Sequence, residues 1–250
     1  MTRSYAMLKR ASVLGLVALF AGYRGARAQD AASKPVAVTL DLGFMNAAGN
    51  TRVTTLNGAE KVTLRPTGSR WQLEEQVTAV YGRTSDSVTA EQIKVTGRAD
   101  YKVLAVFHLF LGGTYERNRF AGVGRRFEEI AGVALRPVDS PRDLLSIEMG
   151  SAVTQQRSTA AVEDNFVAMR VAANFKHLFT QTVYLQQLAE ALPNVDDLND
   201  TRVNSETSLV APLSARVALR LSYVVRFDNV PEPGFQKTDR VFSSGVQLAF

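Results

Sequence analysis

From residue 36 onward the chain alternates apolar and polar side chains with a period of two, in stretches of roughly 10 to 14 residues separated by short turns. Period two sends successive side chains to opposite faces of a strand, so each stretch has one apolar and one polar face. The spans are 36–46, 52–65, 70–83, 87–101, 103–116, 122–136, 142–155, 162–175, 178–192, 200–211, 214–228 and 237–250, about twelve strands. None carries the period of an amphipathic helix. Strands of globular domains run to about 5 to 6 residues, whereas crossing a bilayer at a tilt takes about 9 to 11. The stretches here have the second length.

Which face is which follows from the clearest strands. In 214–228, Val217, Leu219, Leu221, Tyr223, Val225 and Phe227 share one parity, and Arg216, Ala218, Arg220, Ser222 and Arg226 the other. Three arginines on one face do not make a soluble core. Elsewhere Leu145, Ile147, Met149 and Val153 oppose Ser146, Glu148, Gly150 and Thr154, while Val167, Met169, Val171 and Phe175 oppose Ala168, Arg170 and Asn174. Ile93, Val95 and Tyr101 likewise oppose Gln92, Lys94, Thr96, Arg98 and Asp100. Alternation alone also suits a soluble antiparallel sandwich with one wet face. Aromatic placement argues against that alternative. Trp71 and Tyr81 share a parity ten residues apart, which at about 3.3 Å per residue and roughly 40° of tilt is about 25 Å along the normal, the height of a barrel's apolar band. With Tyr223, Phe227, Phe242 and the final Phe250 they are the expected membrane girdle.

The two ends of the chain agree with this reading. Arg3, Lys9 and Arg10 precede a short apolar run over 11–23, followed by Ala26-Arg27-Ala28, which predicts a secretory signal peptide over 1–28 and a barrel over 29–250. The run is too short to span a bilayer, which takes about 20 apolar residues. Five of the 29 basic residues (Arg3, Lys9, Arg10, Arg24 and Arg27) lie in that segment, which has no acid, so the remainder balances the 24 acids. The basic excess belongs to the export signal and points to no nucleic acid. The absence of cysteine excludes disulfides, a lipidated cysteine and thiolate chemistry. In the last stretch, Phe242, Val246, Leu248 and Phe250 share a parity opposite Gly245 and Gln247. Such an ending suits the closing strand of an outer-membrane barrel, which an even strand count pairs with 36–46. The expected fold class is therefore all-β: an antiparallel transmembrane β-barrel of about twelve strands in the outer membrane, after a cleaved signal peptide. Its partners would be outer-membrane lipid and, through the last strand, the barrel assembly machinery.

Tight turns at 67–69, 100–102, 176–178 and 212–214 alternate with longer connections at 118–122, 192–199 and 229–236. Short periplasmic turns and longer outer loops are the pattern of bacterial barrels. The polar parity then faces a lumen and holds Asp41, Lys61, Glu74, Lys94, Arg98, Asp100, Glu116, Glu148, Arg170, Glu206, Arg216, Arg220 and Arg226. Hairpin register sets Glu206 opposite Arg220, Glu148 near Arg170, and Glu74 diagonal to Lys94 and Arg98. Glu75 breaks the pattern, because its parity faces lipid between Leu73 and Val77. A local bulge, a protein contact or snorkelling would relieve its cost.

No catalytic constellation emerges. His108 falls on the inner parity of an apolar stretch and His177 in a turn, neither beside a serine and a carboxylate. Gly122-Val123-Gly124 lacks the strand-to-helix context of a phosphate loop. Asp196, Asp197 and Asp200 sit in an outer loop, where solvated acids are the simplest reading. No cofactor, metal site or enzymatic activity is expected.

Several short motifs carry a resemblance over about 39–250: Gly49-Asn50-Thr51, Arg70-Trp71, Ala79-Val80-Tyr81-Gly82, Tyr115-Glu116-Arg117-Asn118-Arg119-Phe120-Ala121-Gly122, Leu221-Ser222-Tyr223 and Pro233-Gly234-Phe235-Gln236-Lys237-Thr238-Asp239. In these the chain resembles the salt-induced outer-membrane protein family, whose domain is of unknown function. The family usually has Asp where Asn118 stands and an apolar residue at Glu75. The resemblance implies an outer-membrane β-barrel linked to osmotic or salt stress and brings no catalytic residues. The leading expectation is a narrow polar channel for small solutes or ions. A plugged barrel with a structural or surface-interaction role comes second, and an outer-leaflet hydrolase using His108 a distant third.

Overall fold

The computed structural model describes residues 35–48, 53–84 and 87–250, so the export segment over 1–28 lies outside the described residues. Twelve strands follow one another: β1 (Val36–Ala48), β2 (Val53–Leu64), β3 (Trp71–Thr84), β4 (Ser87–Lys102), β5 (Phe107–Asn118), β6 (Val123–Asp139), β7 (Asp143–Ser158), β8 (Glu163–Leu178), β9 (Tyr184–Pro193), β10 (Thr201–Pro212), β11 (Val217–Asp228) and β12 (Thr238–Ala249). Each pairs antiparallel with its neighbour in sequence, and β12 returns to β1, closing the barrel. The closing ladder runs from Thr39↔Ala249 to Ala48↔Arg240. Phe250 extends it, donating its N–H to the Val38 carbonyl at 2.9 Å. Closure leaves no sheet edge, which is the condition for a β-structure to stand in hydrocarbon.

The two parities separate cleanly. Leu42, Leu111, Met149, Met169, Leu219 and Val246 are exposed on the outside, while Phe110, Ala152, Ala168, Arg170 and Asp100 are buried inside. A predominantly apolar exposed surface on a closed sheet whose buried side carries charge is the inverse of a soluble protein and fits a membrane-spanning wall. Aromatic pairs mark both ends of the belt. Trp71 faces Tyr101 across β3 and β4 with ring centroids 4.9 Å apart, and Tyr115 meets Phe127 across β5 and β6 at 5.0 Å.

Four turns differ from their expected places. β4 continues through Lys102 and turns at 103–106, where the Val103 and Leu104 N–H groups donate to the Phe107 carbonyl. β8 continues through Leu178, held by the outward pair of His177 Nδ1 and Asp143 Oδ1 at 2.7 Å, so His177 ends a strand instead of occupying a turn. The turn at 179–183 forms around the Thr180 hydroxyl, which accepts from the N–H groups of Thr182 and Val183. Ser214 does the same for Arg216 and Val217, placing Arg216 in an exposed turn before β11, where its carbonyl accepts the Ala249 N–H at 2.9 Å. In these hairpins local side-chain bonds compete with the ladder for the backbone donors, and alternation alone does not register that competition. β6 runs past its expected end at 136 to Asp139, with a register shift between Leu135 and Val138, and the turn to β7 falls at 140–142. Pro137 lies within it and has no N–H to give to a ladder.

Glu75 sits on regular β3, opposite Gly97 and beside Val62. The bulge of that hairpin lies instead at Gly82/Arg83, and among the described residues Glu75 makes no ion pair. Glu60 and Glu129 share its outward parity, and nothing in the structure explains the three. Replacing Glu75 by Leu is expected to raise the unfolding free energy by about 1 kcal/mol, measured by urea titration of the barrel in lipid vesicles.

Inside the wall two glycine pairs face each other across neighbouring strands, Gly132↔Gly150 on β6 and β7 and Gly43↔Gly245 at the closing seam. A Cβ at Gly132 would collide with the Met149 carbonyl oxygen and lie 2.8 Å from the Phe110 ring. Gly132→Val is expected to cost roughly 1–3 kcal/mol and to shrink the compact, heat-modifiable band on an unheated gel.

Candidate functional site

In a closed sheet, side chains on strands that are not neighbours meet only through the bore. Three clusters of ionic contacts show that the polar parity fills it.

The first joins β4 to β7, three strands apart. Arg98 donates from Nε and Nη2 to both oxygens of Asp100, at 2.9 and 2.7 Å, and from Nη1 and Nη2 to both oxygens of Glu148, at 2.9 and 2.8 Å. Arg170 continues the lattice, donating to Glu148 at 2.7 Å and to Glu190 at 2.6 Å. Phe110 lies beneath both arginines, with the Arg98 guanidinium carbon 4.3 Å and that of Arg170 5.4 Å from its ring centroid. Such bidentate pairs need the planar fork of arginine, and the ring face adds a cation–π contact.

The second joins β1, β10, β11 and β12. Arg220 donates to Asp41 at 2.7 Å and to Glu206 at 2.8 Å. Gln247 holds the other oxygen of Asp41, and Ser208 and Ser222 hold Glu206. The turn displacement at 213–216 shifts the register, so Arg220 stands opposite Val210 and Glu206 opposite Val224. The pair still forms, because long side chains reach along the wall. Glu148 meets Arg170 in the same diagonal way, since Gly150 is the residue opposite Arg170. Glu74 is directly opposite Arg98, yet it pairs with Lys61 at 2.8 Å, while Lys94 stands opposite Thr78.

The third lies toward the outer loops. Arg202 on β10 reaches across to Glu128 on β6 at 3.0 Å and to Thr154 on β7 at 3.2 Å. Glu116 accepts from Gln92 at 3.0 Å and from Asn118 at 3.3 Å, with Arg126 and Arg226 each standing off at 3.8 Å. Arg226 and Glu116 belong to β11 and β5, on opposite walls. Around them opens a cavity of about 100 Å³, lined also by Lys94, Asn204, Pro231 and Lys237. Acids and bases line it in equal number. Its roof is built by packed loops: Gly122, at φ 73°, lies so close to Phe235 that a Cβ would sit 2.8 Å from the ring, and Asn229 Nδ2 donates to the Asn199 carbonyl at 2.7 Å.

The inward parity thus carries Asp41, Lys61, Glu74, Lys94, Arg98, Asp100, Glu116, Glu148, Arg170, Glu206, Arg220 and Arg226, whereas Arg216 lies in its turn. Absent from the expected set were Phe110, Arg126, Glu128, Glu190 and Arg202. Arg126 and Glu128 share the parity opposite Phe127, Ala131 and Val133, a signal that outward Glu129 obscured. His108 is buried, with Nε2 3.4 Å from the Ala105 carbonyl oxygen and no serine or carboxylate bonded to it among the described residues. The loop acids serve turns: Asp200 accepts from Asn194 and Asp197 from Asn199.

Fold and interior together define a porin-like transmembrane β-barrel. The chain belongs to the family described as "Protein of unknown function, DUF481", whose model matches residues 40–250. It is 21% identical over 210 residues to the uncharacterized protein YdiY of Escherichia coli (strain K12), covering 84% of this chain and 81% of that one. Among solved structures it is similar to the NanC porin, with a TM-score of 0.58 at 10% identity, over 84% of this chain and 98% of that one. The translocator domain of the autotransporter NalP from Neisseria meningitidis has a TM-score of 0.53 at 10% identity, over 87% and 89%. These likenesses are to the fold.

Removing Arg98 leaves Asp100 and part of Glu148 without a counter-charge. Arg98→Met is expected to cost roughly 3 kcal/mol in urea unfolding followed by Trp71 fluorescence. Adding Asp100→Asn should recover part of that loss, because the carboxylate left without a counter-charge is then gone.

Proposed function

We propose that this protein is a narrow outer-membrane pore for small polar solutes or ions. The observation that carries the proposal is the composition of the two faces: a lipid-compatible belt outside, and inside a bore lined by charged groups that leaves an unfilled cavity beneath the outer loops. The Arg98 and Arg220 clusters have no ion pair joining them among the described residues. Trp71, Tyr81, Tyr223, Phe242 and Phe250 would sit at headgroup level, with Phe227 half-buried near the upper rim. Rings of fixed charge with water between them pass small solutes and exclude large ones. The fold shared with the NanC porin supports the reading without naming a solute.

The bridges across β4–β7 and β6–β10 favour a second reading, a closed barrel with a structural role in the envelope. Planar-bilayer recording of refolded protein separates the two. A pore gives discrete steps, and Arg98→Ala with Glu148→Ala raises their size by about twofold. Silence over repeated insertions of heat-modifiable, folded protein rejects the pore and leaves the closed barrel. The link to salt or osmotic stress that the family resemblance implies is part of this proposal, and protein levels that stay constant across a salt shift would remove it.

A further inference from the structure

We infer that the short-turn mouth of the barrel is an electropositive vestibule that draws in anions, so that the proposed pore carries small anionic solutes in preference to cations. This selectivity rests on the pore reading above and narrows its solute class. The two ends of the wall differ in charge. The connections at the short-turn end, 65–70, 103–106, 140–142, 179–183 and 213–216, hold Arg65, Arg70, Arg142 and Arg216 and no acid. At the opposite end the connections 119–122, 159–162, 194–200 and 229–237 hold Asp196, Asp197, Asp200 and Glu232 against Arg119 and Lys237. Short turns mark the periplasmic end of bacterial barrels, so the base-rich mouth opens there.

Just inside that mouth the inward parity adds Lys102, Arg136 and Lys176. Lys102 stands opposite the buried His108 at the end of β4. The Lys176 ammonium lies 4.1 Å from the ring centroid of Tyr184, a ring near Arg220 and Asp41 of the bore. Arg65, just after β2, donates from Nε to Gln72 at 3.1 Å, and it is close enough to Arg136 on β6 for the two to repel across the mouth. The carboxylates at this level are already matched. Lys61 takes Glu74 at 2.8 Å, Arg98 holds both oxygens of Asp100, and His177 takes Asp143 on the outer face. Among the described residues Asp139 is the one acidic side chain of the mouth without an ion pair, whereas Arg70, Lys102, Arg136, Arg142 and Lys176 all lack one. Even with the Phe250 carboxylate added, the bases prevail. In the cavity beneath the outer loops acids and bases balance, so charge selects nothing there. At the opposite mouth it does. A cleft lined by one sign of charge between low-dielectric walls focuses its field and enriches counter-ions, and rings of Lys and Arg favour anions. At about 0.1 M salt the screening length is about 10 Å, so bases around one mouth act together.

The test is planar-bilayer recording of the full refolded barrel under a KCl gradient near about 0.1 M, where screening is modest. The reversal potential of the parent should give chloride a permeability at least about threefold that of potassium. Lys102→Gln combined with Arg136→Gln and Lys176→Gln, in protein that keeps the heat-modifiable band, should bring that ratio to about one. Arg117→Gln removes an outward arginine paired with Glu91 at 3.1 Å and should leave the ratio unchanged. Tripolyphosphate should block a single inserted parent pore from one chamber only, and the triple variant from neither. A potassium preference in the parent, or parent block from both chambers or from neither, overturns the vestibule and leaves the pore standing. An unchanged ratio in the triple variant overturns it as well and hands these bases to the phosphates of the surrounding lipid. Silence from folded protein over repeated insertions removes the pore and its selectivity together.

Discussion

Everything in this structure depends on the ladder between β1 and β12. A sheet in hydrocarbon has no water to satisfy its edge, so each unpaired N–H or C=O there costs several kcal/mol. Closing the sequence-distant ends of the chain removes the last free edge, and the two bonds between Val38 and Phe250 carry the ladder to the final residue. Once the ring is shut, its two faces become an inside and an outside. Only then do twelve alternating patterns acquire the meaning that one face meets lipid and the other a shared interior.

The interior is held by arginine and carboxylate in place of apolar packing. A charge taken out of water is costly, and an ion pair repays that cost only when its remaining donors are used. Arg98 meets this condition with four hydrogen bonds and a ring face, and Arg170 with two carboxylates and the same ring. The upper cavity does not meet it, since its guanidinium groups keep unspent donors. The bore is thus saturated at the Arg98 cluster, whereas beneath the outer loops Arg202 keeps a buried Nε–H without an acceptor among the described residues.

Much of the wall was legible in the sequence, because period two is enforced by the geometry of every strand and a slip would turn charges into lipid. Each expected span overlaps an observed strand, and Leu219, Met149 and Met169 lie on the face that alternation assigned them. The hairpin ends were less legible. Thr180 and Ser214 capture backbone donors locally, and that preference moved the starts of β9 and β11 and left Arg216 in an exposed turn. The ionic clusters were legible only in part. Glu148–Arg170 joins neighbours in sequence order and yields to register arithmetic, but Arg98–Glu148 and Arg202–Glu128 join strands that meet only after the ring closes. Nothing local in the chain encodes such a contact.

The glycine pairs give the ring a shape. Gly43↔Gly245 and Gly132↔Gly150 lie half a circumference apart, at the β1–β12 and β6–β7 seams. With no inward side chain on either strand, the wall is freest to bend at these seams. A circular ring of this strand number, at about 4.8 Å spacing and roughly 40° tilt, would measure about 24 Å across. An extended arginine, an extended glutamate and the 3.8 Å between Arg226 and Glu116 span only about 16 Å. At that level the β5 and β11 walls stand closer together than a circular ring would hold them.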